Sequence, residues 1–149
     1  MGAAVVHFEI NARDTKRAWT FYSTLFDWTI DTNNPINYGM VTTGLASGIG
    51  GGIGDPPQGA APGATFYVRV EDVKGYLDKA VRLGGKVVVP ETVIPEMVTF
   101  GMFADPEGNV IGLVKGPQSD LPKPPRRAPA KPPRKRSSSR PRPRKRTRR

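Results

Sequence analysis

The sequence predicts an α+β fold. Two βαβββ modules form one curved mixed-sheet cup with one helix per module outside, and a disordered C-terminal tail follows. Three observations predict it. First, a strand–helix–three-strand pattern occurs twice, with matching helix positions offset by 55 residues (18 to 73, 26 to 81). Second, the opening strand of each copy alternates apolar and polar residues, leaving one face to bury and one to spare. Third, charge is divided sharply along the chain. Residues 1–116 hold nine Lys and Arg against twelve Asp and Glu, net −3, while residues 117–149 hold fourteen against the single acid Asp120, net +13. The first span is a slightly acidic domain long enough to bury a core; the second is a polycation.

The first module covers about residues 4–54. Residues 5–10 (VVHFEI) read as a strand. Asp14 or Thr15 caps the next helix, in which Ala18, Phe21, Tyr22, Leu25 and Phe26 recur at i, i+3, i+4, i+7 and i+8. That apolar stripe stands opposite Lys16, Arg17, Thr20, Ser23 and Thr24. Residues 28–30, 38–43 and 48–53 read as short strands. The last lies in GIGGGIG and reads as a flexible edge strand leading into a joining loop, residues 55–62. Its spacing is wrong for a dinucleotide fingerprint, because position 53 is Ile, and no Lys-Ser/Thr follows to make a phosphate loop.

The second module covers residues 63–116. Residues 65–70 (TFYVRV) form its first strand and Asp72 caps its helix. Val73, Tyr76, Leu77, Ala80 and Val81 repeat the apolar stripe, and Gly84-Gly85 stops it. Residues 86–89, 98–103 and 109–115 are strands, the last two joined by the turn sequence DPEG.

Alternation then assigns the faces. Val6, Phe8 and Ile10, and likewise Phe66, Val68 and Val70, face the helices. His7 and Glu9, with Thr65, Tyr67 and Arg69, face the cup. Phe100 and Met102 line its far wall, or Thr99 does if that strand has the opposite parity. Glu9 and Arg69 stand on central strands and need partners, so a Glu9–Arg69 contact is expected.

The chain has no cysteine, which excludes disulfides, thiolate zinc sites and cysteine nucleophiles. No stretch approaches the length of apolar sequence that spans a membrane, and no secretory signal pattern opens the chain, so a cytoplasmic protein is expected. No Ser-His-Asp arrangement or nucleophile elbow is present, and catalytic residues stay unassigned.

Five pieces in order across residues 5–115, VVHFEI, AWTFYSTLFDWTI, TFYVRVEDV, LGGKVVVP and FADPEGNVIGLVKG, resemble the vicinal oxygen chelate superfamily. That superfamily includes glyoxalase I, bleomycin-resistance proteins and extradiol dioxygenases. The resemblance implies side chains from the paired modules converging on one divalent ion. Its first-strand His corresponds to His7, its fifth-strand His to a place near Thr65, and its last-strand Glu to Gly112. Thr65 and Gly112 are degenerate at those places, so one anticipated ligand of three remains, and no metal or other cofactor is expected. The expected function is binding of a small organic molecule, for sequestration, resistance or sensing, through His7, Glu9, Thr65, Tyr67, Arg69, Phe100 and Met102. The alternative is a glyoxalase-like metal-dependent lyase or isomerase, or a dioxygenase. Members of the superfamily often dimerise, which makes a homodimer a possible assembly.

Residues 117–149 are rich in Pro, Arg and Lys, contain no aromatic residue, and cannot bury enough apolar surface to fold. They are expected to bind nucleic acid or another polyanion non-specifically. The cations assigned to that contact are Arg126, Arg127, Lys131, Arg134, Lys135, Arg136, Arg140, Arg142, Arg144, Lys145, Arg146, Arg148 and Arg149. With no rings to stack on bases, contact is to phosphates alone, and nucleoid association follows if the tail binds DNA.

Overall fold

In a computed structural model, which describes residues 2–58 and 60–116, both helices begin on an aspartate. The Arg17 N–H donates to Asp14 at 3.0 Å, ahead of α1 (Thr15–Phe26). The Gly75 N–H donates to Asp72 at 3.0 Å, ahead of α2 (Val73–Arg82). Each bond satisfies one of the amide groups that the first helical turn leaves unpaired. Past α2, Gly84 takes a φ of 96°, where a residue with a Cβ would be strained. The basic tail lies outside the described residues.

Among the described residues eight strands accompany the helices: β1 (Val5–Asn11), β2 (Thr29–Asp31), β3 (Gly39–Thr42), β4 (Gly50–Gly54), β5 (Gly63–Val70), β6 (Lys86–Ile94), β7 (Val98–Ala104) and β8 (Val110–Lys115). They form one mixed sheet in the order β2-β3-β4-β1-β5-β8-β7-β6. Within the modules β1 runs parallel to β4 and β5 parallel to β8; the antiparallel β1–β5 ladder joins the two. The repeat in the sequence is therefore a repeat in space, and β1 and β5 are central. No helix among the described residues is long and apolar enough to cross a membrane.

The helices cover one face of the sheet. Val70, Val73, Leu77 and Leu113 form a buried core under α2, flanked by Val68, Val87 and Phe103. Full burial of each large aliphatic side chain contributes about 1.5–3 kcal/mol. In the first module the packing is aromatic: Trp28 meets Phe8, Tyr22 and Phe26 at ring distances of 5.3, 5.8 and 4.9 Å. The predicted facing of Phe8, Val68 and Val70 toward the helices holds.

Three expectations are corrected. The inward stripe of α1 is Thr15, Ala18, Trp19, Tyr22 and Ser23, one register away from the apolar stripe read in the sequence. Phe21, Leu25 and Phe26 are 57, 56 and 51% exposed. The cause is Trp19, whose indole N–H donates to the Ile53 carbonyl at 3.0 Å and whose ring lies over Gly39, turning α1 toward β3 and β4. The glycine-rich β4 is an interior strand rather than an edge, lying between β3 and β1. Aromatic rings cover it from both sides, Phe8 over Gly51 and Tyr38 over Gly52 and Gly54. Finally, β6 runs through Pro90 to Ile94, because it is the outermost strand and its outer side has no ladder to lose a donor from.

Candidate ligand site in the cup

The two central strands position the site. Across the β1–β5 ladder His7 faces Tyr67 and Glu9 faces Thr65. On their outer flanks Glu9 lies beside Gly52 in β4, and Tyr67 beside Gly112 in β8. These glycines hold equivalent places in the two modules, and each is roofed by a tyrosine. A Cβ on Gly52 would fall within the Tyr38 ring, and one on Gly112 within the Tyr67 ring.

The two phenols meet at one oxygen. The Tyr38 and Tyr67 hydroxyls each donate to Glu9 Oε2 at 3.1 Å. Asn11 Nδ2 donates to Oε1 at 3.2 Å. His7 Nε2 lies 2.8 Å from the Tyr38 hydroxyl oxygen. A phenol has one hydrogen, and Tyr38 gives its hydrogen to Glu9, so it accepts from His7. That fixes the imidazole as the Nε2–H tautomer, with the lone pair on Nδ1. The His7 ring stands edge-on to Tyr67 at 5.7 Å and alongside Tyr38 at 6.3 Å. Met102 closes the inner wall, its Sδ 3.9 Å from the Tyr67 hydroxyl.

Burial sets the protonation states. It lowers the His7 pKa from the ordinary 6.5, so the ring is neutral near pH 7. Burial first, then the Glu9 charge and the hydrogen bond to it, raise the pKa of both Tyr38 and Tyr67. Both phenols therefore stay protonated and keep donating to the carboxylate.

His7, Glu9, Tyr67 and Met102 thus come together. Phe100 pairs with Val114 and Met102 with Gly112, which puts both on the cup face and removes the Thr99 alternative. Thr65 shares that face, but its hydroxyl donates to the Val110 carbonyl at 2.6 Å and serves the sheet. Arg69 shares it too, four residues along β5 from the partner of Glu9, with its stem against Gly116. The Glu9 carboxylate is accordingly held by phenols and an amide rather than by the expected guanidinium. Tyr38 was missed by the sequence reading. Its signal was present: an aromatic residue beside a short strand whose neighbour, GGGIG, has no side chains of its own to fill the cup.

These residues do not fit the divalent ion that the resemblance implies. His7 Nε2 is committed to Tyr38, the Thr65 hydroxyl to Val110, and the space beside Gly112 to the Tyr67 ring. Among the described residues no group of three or more His, Asp or Glu is placed to hold a metal.

Two open clefts lie away from this cluster, on the helix-bearing face. One, of about 570 Å³, is the gap left beside Ile10, Ala18 and Phe21 where α1 leans toward β3 and β4. The other, of about 360 Å³, lies between α2 and Val68, Phe103 and Leu113. The hydrogen-bonded chemistry, and hence the candidate site, is on the cup face.

Residues 4–113 match the model of the Glyoxalase/Bleomycin resistance protein/Dioxygenase superfamily. The chain belongs to that superfamily. Among members, proteins named as glyoxylases in Mycobacterium tuberculosis and Mycobacterium bovis are 30% identical over 112 residues, covering 70% of this chain and 42% of theirs. The chain thus spans less than half the length of those relatives. A glyoxylase-like domain-containing protein of Didymella fabae is 29% identical over 118 residues, 73% of this chain and 91% of that one. Methylmalonyl-CoA epimerase from Mycobacterium tuberculosis superposes with a TM-score of 0.59 at 15% identity, over 77% of this chain and 89% of that chain. A superfamily member from Vibrio splendidus gives 0.52 at 13%, over 76% and 98%. At such identities the likeness shows the fold alone.

Proposed function

We propose that the cup binds a small organic molecule by shape and hydrogen bonding, without a metal ion, and that the chain sequesters or senses that molecule or confers resistance to it. The observation that carries this reading is the convergence of Tyr38 and Tyr67 on Glu9 above Gly52 and Gly112. It supplies aromatic walls and one anchored carboxylate, the makings of a ligand site, in the space that ion ligands would need. The tail adds a second role in the same proposal. Its net charge of +13 supports non-specific retention on nucleic acid or another phosphate polyanion.

The test is native mass spectrometry of the full chain purified from its own host. The expected spectrum carries an organic adduct and no metal adduct. A metal adduct that disappears in His7→Ala overturns the reading.

A second reading has one observation in its favour, the glyoxylase names of the relatives at about 30% identity. It is a metal-dependent lyase or isomerase of that type. Turnover by the full chain that stops on adding a chelator would establish it over the first.

A further inference from the structure

We propose that the cup is a receptor for organic cations, in which a ligand ammonium, amidinium or guanidinium group donates to Glu9 between the rings of Tyr38, Tyr67 and His7. This rests on the ligand-binding reading above and names the chemical class of the ligand.

A count of hydrogens carries the argument. The Tyr38 hydrogen points at Glu9, the Tyr67 hydrogen points at Glu9, and the Nε2 hydrogen of His7 points at Tyr38. The hydrogens of Tyr38, Tyr67 and His7 Nε2 are therefore all turned inward, and Asn11 spends one of its two amide hydrogens on Glu9. What remains is mainly acceptor capacity. An ionised carboxylate has about four lone-pair positions. Two on Oε2 go to the phenols and one on Oε1 goes to Asn11, which leaves one on Oε1. Further unused acceptors are Nδ1 of His7 and the Tyr67 hydroxyl oxygen. A guest meets mainly acceptors and a negative charge at this cluster, so a hydrogen donor suits it, and a positive charge is favoured.

A further feature agrees. Glu9, His7 and Tyr38 are half-buried rather than sealed, so the cluster keeps a solvent-facing side, while burial makes any unpaired guest charge costly unless it matches. The backbone of Arg69, the arginine of this face, stands four β5 positions from the residue opposite Glu9, about 13 Å along the strand, and its side-chain stem lies against Gly116.

The test is calorimetric titration of the full chain with three probes of one chain length: hexylammonium, hexanol and hexanoate. Hexylammonium is expected to bind at least about tenfold more tightly than hexanol, the effect of one charge-assisted hydrogen bond. Glu9→Gln, which keeps volume and an acceptor, should remove that preference. Hexanoate held by the basic tail is expected to be indifferent to Glu9→Gln. A second readout needs no variant. His7 is the only histidine, so its imidazole nitrogen signals report the site directly, and hexylammonium should shift them while hexanoate does not. Equal binding of hexanol and hexylammonium, with His7 signals moved by both, overturns the cation preference and leaves the ligand reading standing. Silence of the His7 signals toward all three also overturns the cation proposal, and the native mass spectrum then decides the ligand reading separately.

Discussion

The Tyr67 ring covers Gly112, and its hydroxyl ends 3.1 Å from Glu9 Oε2. One side chain thereby fills the space where a last-strand carboxylate would stand and spends its only hydrogen on the remaining acid of the cup. Tyr38 does the same over Gly52 in the other module.

Gly112→Ala should therefore destabilise the domain by about 1–3 kcal/mol, because the new methyl group overlaps a buried ring that must be displaced. Urea unfolding measures this. The loss should be smaller in a Tyr67→Leu background, since neighbours that share one space are not additive. Equal losses in both backgrounds would show that the ring is not what excludes the side chain.

Tyr38→Phe keeps the ring over Gly52 and deletes the hydroxyl that joins His7 to Glu9. Two half-buried polar groups each lose a partner, at a cost of about 1–3 kcal/mol. The imidazole should also lose its fixed tautomer, visible as a change in the nitrogen chemical shifts of the sole histidine. Unchanged shifts would dissociate His7 from the network.

Acid sensitivity follows from His7. Its folded pKa is lowered below 6.5, so the unfolded chain binds the proton more readily. The contribution to stability is complete above about pH 6.5 and is lost as pH falls from there through the folded pKa. Thermal melts between pH 7.5 and 5 should show this decline. His7→Gln, which can still donate to Tyr38 but does not titrate, should flatten it. An unaltered slope would assign the acid response to other groups.

The tail gives a separate prediction. Removing residues 117–149 removes fourteen cations and leaves a domain of net charge −3. The full chain should be retained on a DNA column with a steep salt dependence, and the truncated chain should not. Equal retention of both would place the polyanion contact in the folded domain.

Much of the fold was legible because strand alternation has a strict period of two. VVHFEI and TFYVRV put Glu9 and Tyr67 on the cup side and Phe8 and Val68 on the helix side, and the sheet agrees. The helix phase was less legible. Phe21 and Leu25 are more apolar than Thr15 and Ser23, yet the latter pair turns inward, because one long-range contact, Trp19 to Ile53 and Gly39, sets the rotation of α1. Tyr38 was hidden for a similar reason. Its place is set by the absence of side chains on β4, fourteen residues away at Gly52, so its signal lies in matching two separate stretches, an aromatic residue and a bare strand, and not in one local period. GIGGGIG misled in the same way: bare in sequence, it is interior in the sheet because Phe8 and Tyr38 supply its cover.

The central proposal is that a phenol–carboxylate cluster stands in the cup in place of an ion, and metal analysis of the full chain tests that most directly. The protein should be purified without chelator, incubated with zinc, nickel or ferrous iron, dialysed and measured by elemental mass spectrometry. The account predicts no stoichiometric metal and no change in melting temperature. One ion per chain that raises the melting temperature and is lost in His7→Ala would contradict it.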